Sequence, residues 1–149
     1  MIHKNPNDMY APLVIERTFA VRPDKIWNAI TDKEKMKQWY FDIPSFKLES
    51  GAEFSFPGQG HKGEQYLHLC KITEINPLKK LSYTWRYKDH SGNSVVTFEL
   101  LPEENQTRVR LTHAGLETFP KENPDFARSS FEEGWTQLIG TSLKNFLDK

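Results

Sequence analysis

The sequence has a single cysteine, Cys70, so no internal disulfide can form, and an uncrosslinked chain of this size suits a reducing compartment; cytoplasm is the expected location. It has no charge bias either: Lys and Arg number 20 against 20 Asp and Glu, leaving no net field to draw the molecule to nucleic acid or an anionic surface. Long apolar runs are missing. No stretch approaches the roughly 20 apolar residues that span a bilayer, which excludes membrane insertion by a helix. The opening Met1-Ile2-His3-Lys4-Asn5-Pro6-Asn7-Asp8 lacks the apolar centre of a signal peptide.

Chemical motifs are equally scarce. The five histidines (His3, His61, His68, His90, His113) are scattered, with no His-x-x-x-His or Cys-x-x-Cys pairing, so no metal set is assigned. His61, Glu64 and His68 are close in sequence, but on a strand His61 and Glu64 point to opposite faces. Neither Cys70 nor any serine sits in a nucleophile elbow, and no glycine-rich phosphate loop occurs. No catalytic residue and no cofactor follow from the sequence. Glu103-Glu104 and Glu132-Glu133 read as solvated pairs, the first in a turn beside Pro102 and the second near a helix start, where negative charge suits the dipole.

What the chain does have is rings: 13% aromatic residues, including four Trp and ten Phe, in an otherwise polar sequence. Its 149 residues suit one domain, expected over residues 10–149 behind a frayed polar arm, residues 1–9. Leu13 to Val21 reads as a strand ending at Arg22-Pro23-Asp24, with proline in the first turn of a helix carrying Ile26, Trp27 and Ile30 on one face. Thr31, three residues before Glu34, predicts a capping box opening a second short helix through Met36 and Trp39.

From Phe46 to His113 the period becomes two. Ser50-Gly51 divides a Phe46/Leu48 strand from a Phe54/Phe56 strand, which Pro57-Gly58-Gln59-Gly60 is expected to break. Leu81, Tyr83, Trp85 and Tyr87, then Val96, Phe98 and Leu100, then Val109, Leu111 and His113 each occupy alternate positions with polar residues between, the pattern of a sheet dry on one side and wet on the other. After Pro124 the period returns to 3.6, and Phe131, Trp135, Leu138, Ile139, Leu143, Phe146 and Leu147 form one stripe of a long helix. The fold class is therefore α+β: an antiparallel sheet wrapped around a long C-terminal helix, with two short helices after the first strand.

The rings permit two outcomes, a fully packed core or a cavity bordered by aromatics. Leu81, Leu100, Leu111, Ile139, Leu143 and Phe146 are assigned to the core. Trp39, Phe54, Phe56, Tyr83, Trp85, Phe98, Phe131 and Trp135 are the candidate wall of a pocket for an apolar small molecule, with Tyr66, His68 and His113 supplying orientation. Tyr66, His68, Cys70 and Ile72 share one strand face, and a buried imidazole or phenol there needs a partner: a side chain, a water or a ligand. Leu67 and Leu69 occupy the other face; an exposed pair would instead mark the contact of a homodimer.

Several stretches carry a resemblance: Arg17-Thr18-Phe19 leading to Pro23, Ile26-Trp27-Asn28-Ala29-Ile30-Thr31-Asp32, Met36 to Trp39, Glu74-Ile75-Asn76-Pro77, Leu81-Ser82-Tyr83-Thr84-Trp85, Val96-Thr97-Phe98-Glu99-Leu100, Thr107 to His113 with Gly115-Leu116, and Gly134-Trp135. Together they resemble the START-like, birch-pollen-allergen-like helix-grip superfamily (SRPBCC), and within it the homologues of the activator of heat-shock protein 90 ATPase. The resemblance implies a cavity between sheet and long helix, used across the superfamily for lipids, sterols, polyketides and other apolar molecules. It also implies two alternatives: a co-chaperone-type interaction module with a chaperone partner, or a cyclase or dehydratase drawing its acids and bases from Tyr66, His68 and His113. The eukaryotic co-chaperone joins such a domain to a separate N-terminal one that engages the chaperone.

Overall fold

The computed structural model describes residues 11–149; the expected arm, residues 1–9, lies outside the described residues, as does Tyr10. Strand β1 (Leu13–Phe19) leads into helices α1 (Pro23–Thr31) and α2 (Lys33–Trp39), followed by β2 (Glu53–Gln59), β3 (Gln65–Asn76), β4 (Lys80–Tyr87), β5 (Ser94–Glu103) and β6 (Gln106–Ala114). Two 3-10 turns, Leu116–Thr118 and Pro124–Phe126, precede α3 (Arg128–Gln137). The chain continues helically through a π-helical stretch, Leu138–Leu143, into α4 (Lys144–Leu147).

The strands form one antiparallel sheet in the order β1-β6-β5-β4-β3-β2. The first strand thus pairs with the last, and α1 and α2 carry the chain from one sheet edge to the other. That crossing leaves the dry face free for the C-terminal helix, which touches β1 and α2. A register shift between Ile72 and Glu74 marks a bulge between β3 and β4, where the sheet bends.

The two-residue alternation sorts the faces as expected. Leu81, Tyr83, Trp85, Tyr87, Val96, Phe98, Leu100, Val109, Leu111 and His113 are all buried. On β3 the inward set is Tyr66, His68, Cys70 and Ile72, and Leu67 is 36% exposed on the outside. The outer face carries a charged row: Glu16 pairs in register with Arg110, and Arg110 with Glu99, so opposite charges sit side by side across three strands. On the last helix Ile139 and Leu143 are buried, whereas Phe146 in the final turn is only partly covered.

Three local expectations are corrected. The second helix is capped by Asp32, not Thr31: α1 runs to Thr31, whose hydroxyl donates back to the Trp27 carbonyl (2.7 Å), and the Asp32 carboxylate accepts from the Glu34 amide (3.0 Å). No strand forms at Phe46/Leu48. Phe46 closes a turn onto Ile43 and packs edge-on against Phe54 (5.1 Å), while Leu48 is 38% exposed; two alternate apolar residues with no neighbouring strand to pair with do not make a ladder. Pro57 and Gly58 do not break β2, which runs to Gln59. An edge strand needs hydrogen bonds on one side only, so it tolerates a residue without an N–H.

Candidate functional site

A cavity of about 860 Å³ lies between the β3–β4 part of the inner face and the C-terminal helix. Of the residues nominated from sequence, Tyr66, His68, Trp85, Phe131 and Trp135 border it. The others lie elsewhere, in the packed core. Trp39 donates its indole N–H to the Ala29 carbonyl (2.8 Å), and Phe54 packs edge-on against Tyr83 (5.1 Å). Phe56 packs against both Phe41 (4.5 Å) and His68 (4.4 Å), Phe98 packs edge-on against Trp135 (6.1 Å), and His113 lies behind Trp85 and Trp135.

His113 is fully buried and needs no ligand. The indole N–H of Trp135 is purely a donor, so Nδ1, 3.0 Å away, must accept. The ring proton therefore sits on Nε2, 2.8 Å from the Ser94 hydroxyl, which passes its own proton to the Trp85 carbonyl (2.7 Å). Helix, β6, β5 and β4 are joined through one neutral imidazole, and burial lowers its pKa to about 3.

His68, 8% exposed, is held differently. Its Nδ1 lies 3.2 Å from the Phe56 carbonyl, and a carbonyl only accepts, so Nδ1 carries the proton. Burial lowers this imidazole to about 4. The ring packs against Trp85 (4.9 Å) and against Tyr87 (4.8 Å), its register partner on β4. Tyr87 in turn accepts the Trp85 indole N–H at 2.9 Å.

The cavity mouth is built from polar groups. Asp125, in the turn before α3, accepts the Tyr66 phenol proton (2.6 Å) and the His61 amide (2.9 Å), and Asn123 donates to the same phenol oxygen (3.1 Å). His61 Nε2 stands 3.0 Å from the Ser130 hydroxyl. These bonds tie the β2–β3 hairpin tip to the start of the helix. The Tyr66 phenol holds the Asp125 carboxyl below its ordinary range, with the His61 amide adding to it. The fit is close: a methyl group at Gly60 would lie 2.2 Å from the Asp125 carboxylate.

Several wall residues escaped the sequence reading. Tyr87 carried a signal, since it continues the buried row of Tyr83 and Trp85. Phe41, Phe126, His61 and Asp125 sit in connections with no periodicity, and no pattern announces them. Ser130, Gly134 and Thr141 lie on the cavity side of the C-terminal helix next to Leu138, and they read as a solvated face in sequence because that side meets open space and not packed protein.

Comparison with known proteins places this arrangement. Yeast (Saccharomyces cerevisiae) Hsp90 co-chaperone AHA1 is 24% identical over 146 residues, covering 93% of this chain and 39% of that protein, so the chain spans about two-fifths of this relative's length. Among solved structures, Mll3558 from Rhizobium loti matches with a TM-score of 0.79 at 23% identity, over 91% of this chain and 96% of that one. MLL2253 from Mesorhizobium loti matches at 0.74 and 29% identity, over 92% and 96%. The fold is thus the helix-grip fold of the START-like superfamily. The profile of the family described as Activator of Hsp90 ATPase homolog 1-like protein covers residues 20–148, most of the chain, and the protein belongs to that family.

Proposed function

We propose that the chain binds an apolar, ring-sized molecule in the cavity between β3–β4 and the C-terminal helix. The observation that carries this reading is the volume. A cleft of about 860 Å³, open on one side and floored by buried rings, falls in the usual range of ligand pockets. The wall supports it: rigid rings from Phe41, Trp85, Tyr87, Phe131 and Trp135 offer broad apolar contact at small entropic cost.

Gly134 points the same way. It sits inside α3 on the exposed rim of the cavity, and a Cβ built there meets nothing within 4 Å. A glycine within a helix costs roughly 0.5–1 kcal/mol relative to alanine, so the open space comes at a cost in helix stability. Gly134→Ala should raise the unfolding free energy by about that amount, measured by urea denaturation. Gly134→Phe should instead place a ring across the cavity mouth and obstruct entry while the chain remains folded. Binding of 1-anilinonaphthalene-8-sulfonate, followed by its emission, should then fall at least tenfold; equal binding by wild type and Gly134→Phe would refute the reading.

Similarity to a protein named as an Hsp90 co-chaperone favours a second reading, an interaction module that docks on a chaperone. Here Gly134→Phe separates the two. A pull-down recovering a chaperone equally with wild type and variant supports docking by another surface. An enzyme of cyclase or dehydratase type would have to rest on Tyr66 or His68, because both nitrogens of His113 are engaged away from the wall.

A further inference from the structure

Two buried polar groups on the cavity wall have hydrogen-bonding capacity that the described residues leave unused, and their geometry fixes its sense. His68 and Tyr87 are 8% and 6% exposed, and both border the cavity. His68 spends Nδ1–H on the Phe56 carbonyl, so Nε2 carries a lone pair; no described residue donates to it. The ring cannot easily turn away. It is stacked on Phe56 at 4.4 Å, and its Cε1 would lie only 2.5 Å from a Cβ at position 58, so Gly58 alone makes room for it.

Tyr87 is complementary. Its oxygen already accepts the Trp85 indole N–H at 2.9 Å, and its own proton has no acceptor among the described residues. The two side chains are register partners with ring centroids 4.8 Å apart, yet no hydrogen bond joins them. A donor and an acceptor therefore stand side by side in an aromatic wall. His68 Nε2 is not a sealed-off atom, since Arg108 Nε is the one buried side-chain nitrogen or oxygen without a partner among the described residues; it faces the open cavity, and one ligand group that accepts from Tyr87 O–H and donates to His68 Nε2 would use both.

We infer that the ligand of this cavity carries a hydroxyl group on its apolar body, a phenol or an alcohol, whose oxygen accepts from Tyr87 O–H and whose proton is donated to His68 Nε2. This rests on the cavity being a binding site, and it adds the chemical class. A carbonyl or ether could use only Tyr87, and a hydrocarbon could use neither. The surrounding rings, Trp85 and Trp135 among them, would enclose the rest of a flat molecule.

The test uses three probes of similar shape, 2-naphthol, 2-methoxynaphthalene and naphthalene, titrated calorimetrically into the intact chain. A single hydrogen bond at such a site is worth about three- to tenfold in affinity. Wild type should bind 2-naphthol tightest, 2-methoxynaphthalene about three- to tenfold more weakly, and naphthalene weaker again by a similar factor. In Tyr87→Phe the gap between 2-methoxynaphthalene and naphthalene should close while that between 2-naphthol and 2-methoxynaphthalene persists; His68→Leu should show the reverse. Ratios between probes are read within each variant, so a change in folding stability cancels. Equal binding of all three probes by wild type, or unchanged ratios in both variants, overturns the hydroxyl assignment and leaves the cavity reading standing. Failure of all three to bind overturns the cavity reading and this inference with it.

Discussion

Acidification from pH 6.5 to pH 4 should remove on the order of 3 kcal/mol of folding stability for each of two imidazoles, a large part of the roughly 5–15 kcal/mol of an ordinary domain. His68 and His113 are buried in the neutral form, with pKa values lowered to about 4 and about 3, against an ordinary value near 6.5 once the chain unfolds. Throughout that window the unfolded state binds more protons than the folded one, so stability falls as pH falls. The contribution is whole above about pH 6.5 and is lost progressively toward the folded values. Protonated His113 could no longer accept the Trp135 indole N–H, so the loss strikes the bond between helix and sheet. Urea denaturation at half-unit intervals should show a slope of up to about 2.7 kcal/mol per pH unit, roughly halved in His68→Gln. A flat profile between pH 6.5 and 4.5 would mean that these rings are not buried and neutral.

Trp135→Ala should destabilise the protein by ~3–5 kcal/mol, the range for removing a large ring from a core. Trp135 packs against Trp85 (5.5 Å), Tyr40 (6.1 Å) and Phe98 (6.1 Å), and it is also the donor to His113. Truncation therefore opens a void and strands a buried acceptor. Trp135→Phe separates the two contributions. It keeps most of the ring contact, so its cost should be the ~1–3 kcal/mol of the unpaired His113 nitrogen alone. Chemical denaturation of both variants at pH 7.5 measures this. A loss below about 1 kcal/mol in Trp135→Ala would show that this residue only borders the cavity and does not anchor the helix.

Much of the sheet was legible because alternation is a direct consequence of the pleat. Leu81 to Tyr87 and Val109 to His113 could hardly place their rings anywhere but inward. Legibility failed where a neighbour decides the outcome. Pro57 reads as a breaker until β2 is known to be an edge, and Phe46/Leu48 reads as a strand until no partner is found. Thr31 matched a cap pattern, but α1 continues through it and hands the role to Asp32.

The site was less legible for a related reason. Along β4, Tyr83 and Tyr87 belong to the same dry row, yet Tyr83 is sealed beneath Tyr40, with the two hydroxyls 2.7 Å apart, and Tyr87 meets the cavity. Periodicity states which face a residue is on, not how far along that face the helix covers it. His113 and His68 divide in the same way: one is enclosed between sheet and helix, the other lies where the helix stands off. The polar mouth depends on Asp125 and His61, 64 positions apart in sequence, and only the fold brings them together.

Native mass spectrometry on wild type and Gly134→Phe, each purified gently from the same cells and compared with denatured samples, tests the central claim most directly. An additional apolar mass is expected on the wild-type chain, lost on denaturation and absent from Gly134→Phe. Identical masses for the two chains, beyond the substitution itself, would contradict it.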